Sequence, residues 1–436
     1  MSKTQVYILL LLSLVMAGWI LSIRQPMFVT EDGQDYLAYA DAIYQGEWAQ
    51  INSHSRFVLR SPLYPFLIAA SRVAVGDPLD AVRGLHLGVA FLTLLALVVL
   101  LRGLLSPVLI VLSVALVMLQ AGVFYYCVLS EWVAICLLLV VCAVVVRFAE
   151  RPGLYPGILI SLISSLAILL RSALVPLILV LPVLVFALPR ARALGVVKIT
   201  FVMIAAAASI LPLLAYNWIV LAAPGPSPLG GIAVFGMSTL LPDKEVDSRL
   251  KGDALQFLLE FRELRYPREG ADGQMFPVSR EAIVNRNMFE VGDGIRASHE
   301  WDYVKLGEIG EEYAMAVISR NRTAYCALVI HEWVRSLKFI PLQGWLSLGL
   351  FVLCLGLGRS AFRTQPLIVA ASTMLVFHLG HVLFCVLIHP AIYRHFSATY
   401  YPALGAMLLA VVGYWEKWLS SRSRFFRRYT SAESFS

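Results

Sequence analysis

The segment EDGQDY, residues 31–36, gathers three carboxylates (Glu31, Asp32 and Asp35) within six positions and closes on Tyr36. A carboxylate within hydrogen-bond reach of a hydroxyl can take its proton as that oxygen attacks an electrophile. Cations follow at intervals: His54, Arg56 and Arg60 in INSHSRFVLRSPLYP, Arg171 in AILLRSALVP, and Arg394 between Tyr393 and His395 in HPAIYRHFSATY. The planar fork of arginine matches phosphate oxygens. Acids and anion-binding cations brought to one cavity would suit a phosphate-bearing lipid substrate.

Each of these residues also has a plainer reading. Arg171 lies between two apolar runs, where snorkelling of its guanidinium to lipid headgroups accounts for it as well as phosphate binding does. Glu131 follows Ser130 at the start of an apolar run, so it serves either as the favoured charge at a helix N-terminus or as a further carboxylate facing the cavity. His378 and His381 are three apart, with His389 beyond them; such a scatter is weak evidence for a metal, and no metal site is expected. The six cysteines stand singly without metal-ligand spacing, and a disulfide between Cys127 and Cys326 stays open.

These residues have to be positioned by a chain of 436 residues that is 59% hydrophobic and only 14% charged, with a mean hydropathy of +0.77. Soluble domains carry roughly 25% charged residues, so the apolar runs are read as membrane spans. They are continuous rather than alternating, the pattern of spanning helices and not of barrel strands. Ten spans are expected, at 6–24, 81–101, 106–121, 130–148, 156–170, 173–188, 199–220, 341–358, 366–387 and 398–416. The first is read as retained, because no small-residue cleavage site follows it.

An even count places both termini in the cytoplasm. The basic clusters at Arg147 and Arg151, at Arg190, Arg192 and Lys198, at Arg359 and Arg363, and at 417–428 then all fall inside. The net charge of +7 is explained by this topology, and no basic surface with interleaved aromatics calls for nucleic acid. Residues 25–80, 124–131, 221–340 and 389–400 fall outside. Within them, 63–75 predicts a short helix lying on the outer surface, entered through Pro62 and Pro65. The stretch 221–340 predicts a modest cap that ends in a helical pattern from Glu311 to Phe339.

The run TEDGQDYLAYADAIYQGEWAQ followed by LRSPLYPFLIAA resembles the first outer loop of membrane glycosyltransferases of the GT-C fold, bacterial protein O-mannosyltransferases and lipid A aminoarabinose transferases in particular. LSEW, LLRSALVPLIL, EEYAMAVISRNRTAYCALVIHEW and YRHFSATYYPAL resemble later motifs of that family, in the same order over residues 6–416. Ser172 stands where many members have proline after the arginine, and only a short basic tail follows residue 416. That tail makes transfer to peptide sequons a poor fit.

The resemblance implies an all-α polytopic membrane protein with a GT-C-like fold of about ten transmembrane helices, outer juxtamembrane helices and an extracytoplasmic cap. Its parts would be an N-terminal module (1–220), the cap (221–340), C-terminal helices (341–416) and a cytoplasmic tail (417–436). It implies inverting transfer of a sugar from a polyprenyl-phosphate donor to a hydroxyl of a lipid, glycan or protein, at the outer face of a bacterial inner membrane. Asp32 would be the general base, with Asp35 and Glu131 completing the catalytic carboxylates and orienting the acceptor or a divalent cation. Glu31, Tyr36, His54, Arg60, Tyr64, Arg171, Tyr393, Arg394 and His395 would contact substrate. No cofactor is firmly implied. Rival readings are a lipid-linked-saccharide flippase, a surface-polysaccharide polymerase and a noncatalytic assembly partner sharing the fold.

Overall fold

The computed structural model describes residues 26–52, 55–222, 229–243, 246–265, 279–340, 342–357, 366–389 and 393–432; the expected first span, 6–24, lies outside the described residues. Among the described residues there is no β-strand beyond isolated bridges, and helices account for nearly all regular structure.

Two helices precede the long apolar ones. The first, α1 (Glu31–Gln45), begins at Thr30, whose hydroxyl accepts the Gly33 amide at 3.0 Å, and stops at Gly46 in the left-handed region. The second, α2 (Leu63–Val75), forms where a short helix is expected and buries Tyr64, Pro65, Ile68 and Ala69. Next, α3 (Pro78–Leu101) is set by Asp77, which accepts the amides of Leu79 and Asp80, with Pro78 in the first turn. The apolar helices α4 (Pro107–Gln120), α5 (Glu131–Glu150) and α6 (Leu154–Leu170) follow. A 3-10 stretch, Ser172–Leu179, leads into α7 (Val180–Ala187).

The expected span 199–220 forms as two helices, α8 (Val196–Ala208) and α9 (Leu211–Leu221). The interruption falls where the Ser209 hydroxyl donates back to the Ala206 carbonyl and Pro212 enters the next first turn, removing an amide donor from the ladder. Among the described residues, five segments are long and apolar enough to cross a membrane: α3, α5, Val196–Leu221, Pro366–Ile388 and Phe396–Glu416, with mean hydropathies between 1.4 and 2.7.

The bundle is built around α5 and the segment Phe396–Glu416, whose apolar stretches are 83% and 89% buried against 22% for Val196–Leu221. Phe201, Ile204, Leu211, Trp218 and Ile219 face outward along α8 and α9. A patch of that extent is not tolerated on a soluble monomer, whereas lipid tails accept it. The chain is an all-α membrane protein.

A second core lies in residues 229–320. It combines α10 (Leu229–Ser238), α11 (Gly252–Leu264), α12 (Arg280–Arg286), α13 (Asp293–Ser298) and α14 (Tyr303–Arg320). Phe235, Phe257, Phe261 and Tyr313 pack ring against ring with centroids 5.0–6.4 Å apart, and Val58 and Leu59 from the first loop join this core. α10 and α14 meet backbone to backbone, since a methyl group at Gly231 would collide with the Gly307 carbonyl.

The helical pattern expected from 311 to 339 is divided. Asn321 separates α14 from α15 (Arg322–Ser336), and its amide donates to the carbonyls of Pro242 at 2.8 Å and Val317 at 2.9 Å. The chain ends in α16 (Leu342–Leu357), α17 (Pro366–Ile388) and α18 (Tyr393–Ala432). Gly405 of α18 permits close contact with α5, because a Cβ there would stand 2.9 Å from a Leu139 methyl.

Candidate functional site

α5 and α6 run antiparallel through the short link at 151–153, so the first residue of α5, Glu131, and the residue ending α6, Arg171, come to the same end of the bundle. The N-terminus of α1 is anchored there. Phe28 donates its amide to the Tyr126 carbonyl at 2.7 Å, and the Val128 amide returns to the Phe28 carbonyl at 3.0 Å. Gly33 is needed for this approach, since a Cβ at that position would lie 2.9 Å from the Val128 carbonyl oxygen.

Asp32, Asp35 and Tyr36 are three and four residues apart and share one face of α1. Facing them is Arg60, which ends the 3-10 turn Arg56–Leu59; Ser55 caps that turn by accepting the Phe57 amide. Arg60 Nη2 lies 2.5 Å from Asp32 Oδ1 and 2.6 Å from Asp35 Oδ2, and Arg60 Nε donates to the same Asp35 oxygen at 3.1 Å. The three side chains are 13–18% exposed, enclosed yet within reach of a ligand. Burial works against the charge on Arg60, but Asp32, then Tyr36 and Asp35, hold its pKa above the ordinary value.

A second ion pair adjoins the first. Arg171 Nη1 lies 2.8 Å from Glu131 Oε1, with the Glu131 side chain only 3% exposed. Among the described residues, Glu131 Oε2 and Arg171 Nε are buried without a hydrogen-bond partner. Such atoms are costly unless something else meets them. The loops carrying the two arginines are tied together, because the Ser172 amide donates to the Ser61 hydroxyl at 2.9 Å.

Tyr36 links the pairs. Its hydroxyl lies 3.4 Å from Ser130 Oγ, and Arg60, Glu131 and Arg171 all act on it electrostatically. Burial raises its pKa above the ordinary phenol value, so it stays a neutral donor. Tyr64 packs edge-on against Tyr36 with centroids 5.0 Å apart, and its hydroxyl meets His86 Nε2 at 2.9 Å. His86 Nδ1 is 2.9 Å from the Tyr125 carbonyl, which can only accept. The imidazole therefore carries its hydrogen on Nδ1 and accepts from Tyr64. Trp132 Nε1 donates to the His86 carbonyl at 3.0 Å.

The structure thus brings together Asp32, Asp35, Tyr36, Arg60, Tyr64, Glu131 and Arg171 among the residues singled out from sequence. Glu31 is exposed in the first turn of α1 and makes none of these contacts. His54 lies outside the described residues, and Tyr393, Arg394 and His395 open α18 with side chains that also lie outside them. Of the arginines expected to stand ready for phosphate, Arg60 and Arg171 are each already held by carboxylates. Three carboxylates meet two guanidiniums, a formal charge of minus one for the described cluster.

Among the described residues no group of three or more His, Cys, Asp or Glu side chains is placed to hold a metal ion. His378 Nδ1 instead meets Thr399 Oγ1 at 2.9 Å, and His389 Nε2 meets Asn285 Oδ1 at 3.0 Å. Cys127 and Cys326 are both free thiols. Sequence reasoning passed over His86, Ser61 and Ser130. His86 had a legible signal, being an ionisable residue inside an apolar run of helix-spanning length.

Comparison with family models, with curated proteins and with solved structures yields no match. What fold and site define together is an all-α membrane protein with an enclosed cluster of carboxylates and arginines at one end of its helical bundle.

Proposed function

We propose that the chain is an inverting glycosyltransferase with a GT-C-like arrangement of about ten spans. It moves a sugar from a polyprenyl-phosphate carrier to an acceptor hydroxyl at the outer face of a bacterial inner membrane. The observation that carries this reading is the convergence of Asp32 and Asp35 on Arg60, beside the Glu131–Arg171 pair, where the apolar bundle ends. A lipid-linked donor keeps its tail among apolar helices and presents its sugar-phosphate at such a boundary.

In the step proposed, the acceptor hydroxyl oxygen forms a bond to C1 of the sugar while the bond from C1 to the phosphate oxygen breaks. The hydroxyl proton passes to the Asp32 carboxylate, and the phosphate leaves with the electron pair. One in-line displacement inverts C1. The leaving phosphate needs no proton if cations meet its charge. Arg60 engages the carboxylates through Nε and Nη2, and Arg171 engages Glu131 through Nη1. A guanidinium has five N–H donors, and the remaining ones, Arg171 Nε among them, are what the phosphate would meet. Tyr36 supplies a neutral donor between the two arginines.

The orientation proposed keeps both termini cytoplasmic. Arg147 lies sixteen residues beyond Glu131 on the same helix, about 24 Å away at 1.5 Å per residue. Basic residues at the end opposite the cluster accord with the positive-inside rule. The test is turnover by the purified full chain in liposomes, supplied in turn with polyprenyl-phosphate-linked hexoses and pentoses and a panel of hydroxyl acceptors. Release of carrier phosphate coupled to a glycosylated product with inverted C1 supports the reading. Product with retained configuration, or no transfer from any donor, contradicts it.

A further inference from the structure

The helix α15 runs down the side of a spanning segment. Near its start the Tyr325 hydroxyl donates to the Leu387 carbonyl at the end of α17. Further along, Val329 joins a core with Val382, Cys385 and Val386, and Ser336 and Leu337 lie against His378 and Leu379. From Leu387 back to Leu379 is eight residues of α17, about 12 Å of helix. α17 is long and apolar enough to cross a membrane, so α15 descends beside it into the outer part of the bundle. Ile330 and Val334, one turn apart on α15, are exposed large apolar side chains, as are Trp345 and Leu346 at the start of α16. Lipid tails are the natural cover for such a face.

Charge borders this face. The Glu332 side chain is fully buried, and its two oxygens are shared between two arginines. Oε1 accepts from Arg280 Nη1 at 2.7 Å, and Oε2 accepts from Arg335 Nη1 at 3.2 Å. Arg280 arrives from α12, and its Nη1 also meets His331 Nδ1 at 3.0 Å. One buried carboxylate thus fixes guanidiniums from two separate helices at the surface, where they are 44% and 31% exposed. Among the described residues both engage through Nη1 alone, which leaves Nε and Nη2 of each without a protein acceptor.

The cluster carries a formal charge of plus one, and exposed Lys338 follows Arg335 by three residues. Cations beside lipid are costly unless they are paired or reach the headgroups. Glu332 meets one N–H group of each guanidinium, and an anion is needed for the rest. The planar fork suits phosphate oxygens. The apolar face alongside suits a phosphate that carries acyl tails.

We propose that Arg280 and Arg335, held by Glu332, form a docking site for the phosphate of an anionic phospholipid whose tails lie along Ile330 and Val334. The site stands apart from the Asp32 cluster and does not depend on the transferase reading. The experiment is native mass spectrometry of the full chain in detergent, loaded with an equal mixture of phosphatidylglycerol and phosphatidylcholine.

Phosphatidylglycerol should be retained in preference. The preference should fall about 10-fold or more in Arg280→Gln and in Arg335→Gln, the worth of a charged hydrogen bond. It should be unchanged in Lys251→Gln, which removes an exposed cation ahead of α11. No preference in the wild type, a preference that survives both arginine substitutions, or an equal fall in Lys251→Gln overturns the proposal. Displacement of the lipid by inorganic phosphate at equal concentration also overturns it, by assigning the site to the free anion. Should the variants fail to fold, the wild type decides. Phosphatidylglycerol with a photoreactive headgroup is expected to label residues 280–286 and 330–338, and label confined to other segments contradicts the site.

Discussion

Removing the cation of the Glu131–Arg171 pair should be far more damaging than removing both charges. The Glu131 side chain is 3% exposed and Arg171 15%, and the contact between them is 2.8 Å. Arg171→Met keeps an apolar stem but leaves a buried carboxylate whose second oxygen already lacks a partner; truncating one side of a buried pair costs about 3–5 kcal/mol. Glu131→Gln keeps an acceptor oxygen near Arg171 and should cost about 1–3 kcal/mol, the scale of one unsatisfied buried polar group. In the double variant neither charge is left behind, and neutral replacement of a buried pair is often nearly free. It should therefore lie within about 2 kcal/mol of wild type, a coupling of at least about 2 kcal/mol. Reversible unfolding in mixed micelles, followed by tryptophan fluorescence across all four proteins, reads the cycle. Additive single effects, within about 0.5 kcal/mol, would refute the placement of these two side chains in one enclosed site.

Three further outcomes are expected. Gly231→Ala forces α10 away from the Gly307 carbonyl and should cost about 1–3 kcal/mol or more, whereas Gly230→Ala, with open space at its Cβ, should unfold at nearly the wild-type midpoint. Tyr303, outside the spans, is raised from 10.0 to about 12 by burial and then by Asp293, so its neutral form is favoured in the folded chain. Its contribution is complete below the unfolded value and lost as pH rises from 10 to 12, so melting temperatures should fall across that window and fall less steeply in Tyr303→Phe. Cys326 is an exposed free thiol, and a membrane-impermeant maleimide should label it on intact cells. Labelling only after permeabilisation would reverse the proposed orientation.

The apolar helices were legible because long runs of Leu, Val, Ile and Ala have few other uses: among the described residues the expected spans 81–101, 130–148, 199–220, 366–387 and 398–416 fall on segments long enough to cross, whereas 106–121, 156–170, 173–188 and 341–358 fall on shorter apolar elements, the first half of 173–188 being 3-10 turns. What the runs did not disclose was interruption. Ser209 and Pro212 divide one span, and Asn321 divides α14 from α15, because side-chain bonds to nearby carbonyls compete with the helix ladder. At the site, Asp32, Asp35 and Tyr36 could be placed together by helical spacing alone. The partnership of Glu131 with Arg171 could not, since it depends on two helices turning back on each other. The support of Tyr64 by His86 was equally hidden, because it runs between helices through a single hydrogen bond.

The most direct test of the central claim compares Asp32→Asn with wild type in liposomes, reading sugar transfer from a polyprenyl-phosphate donor alongside donor binding. Asparagine preserves size and cannot take the acceptor proton. The account predicts transfer lowered about 10²- to 10⁴-fold, the usual worth of a general base, with donor affinity within about twofold of wild type. Transfer at the wild-type rate with donor binding intact would contradict it.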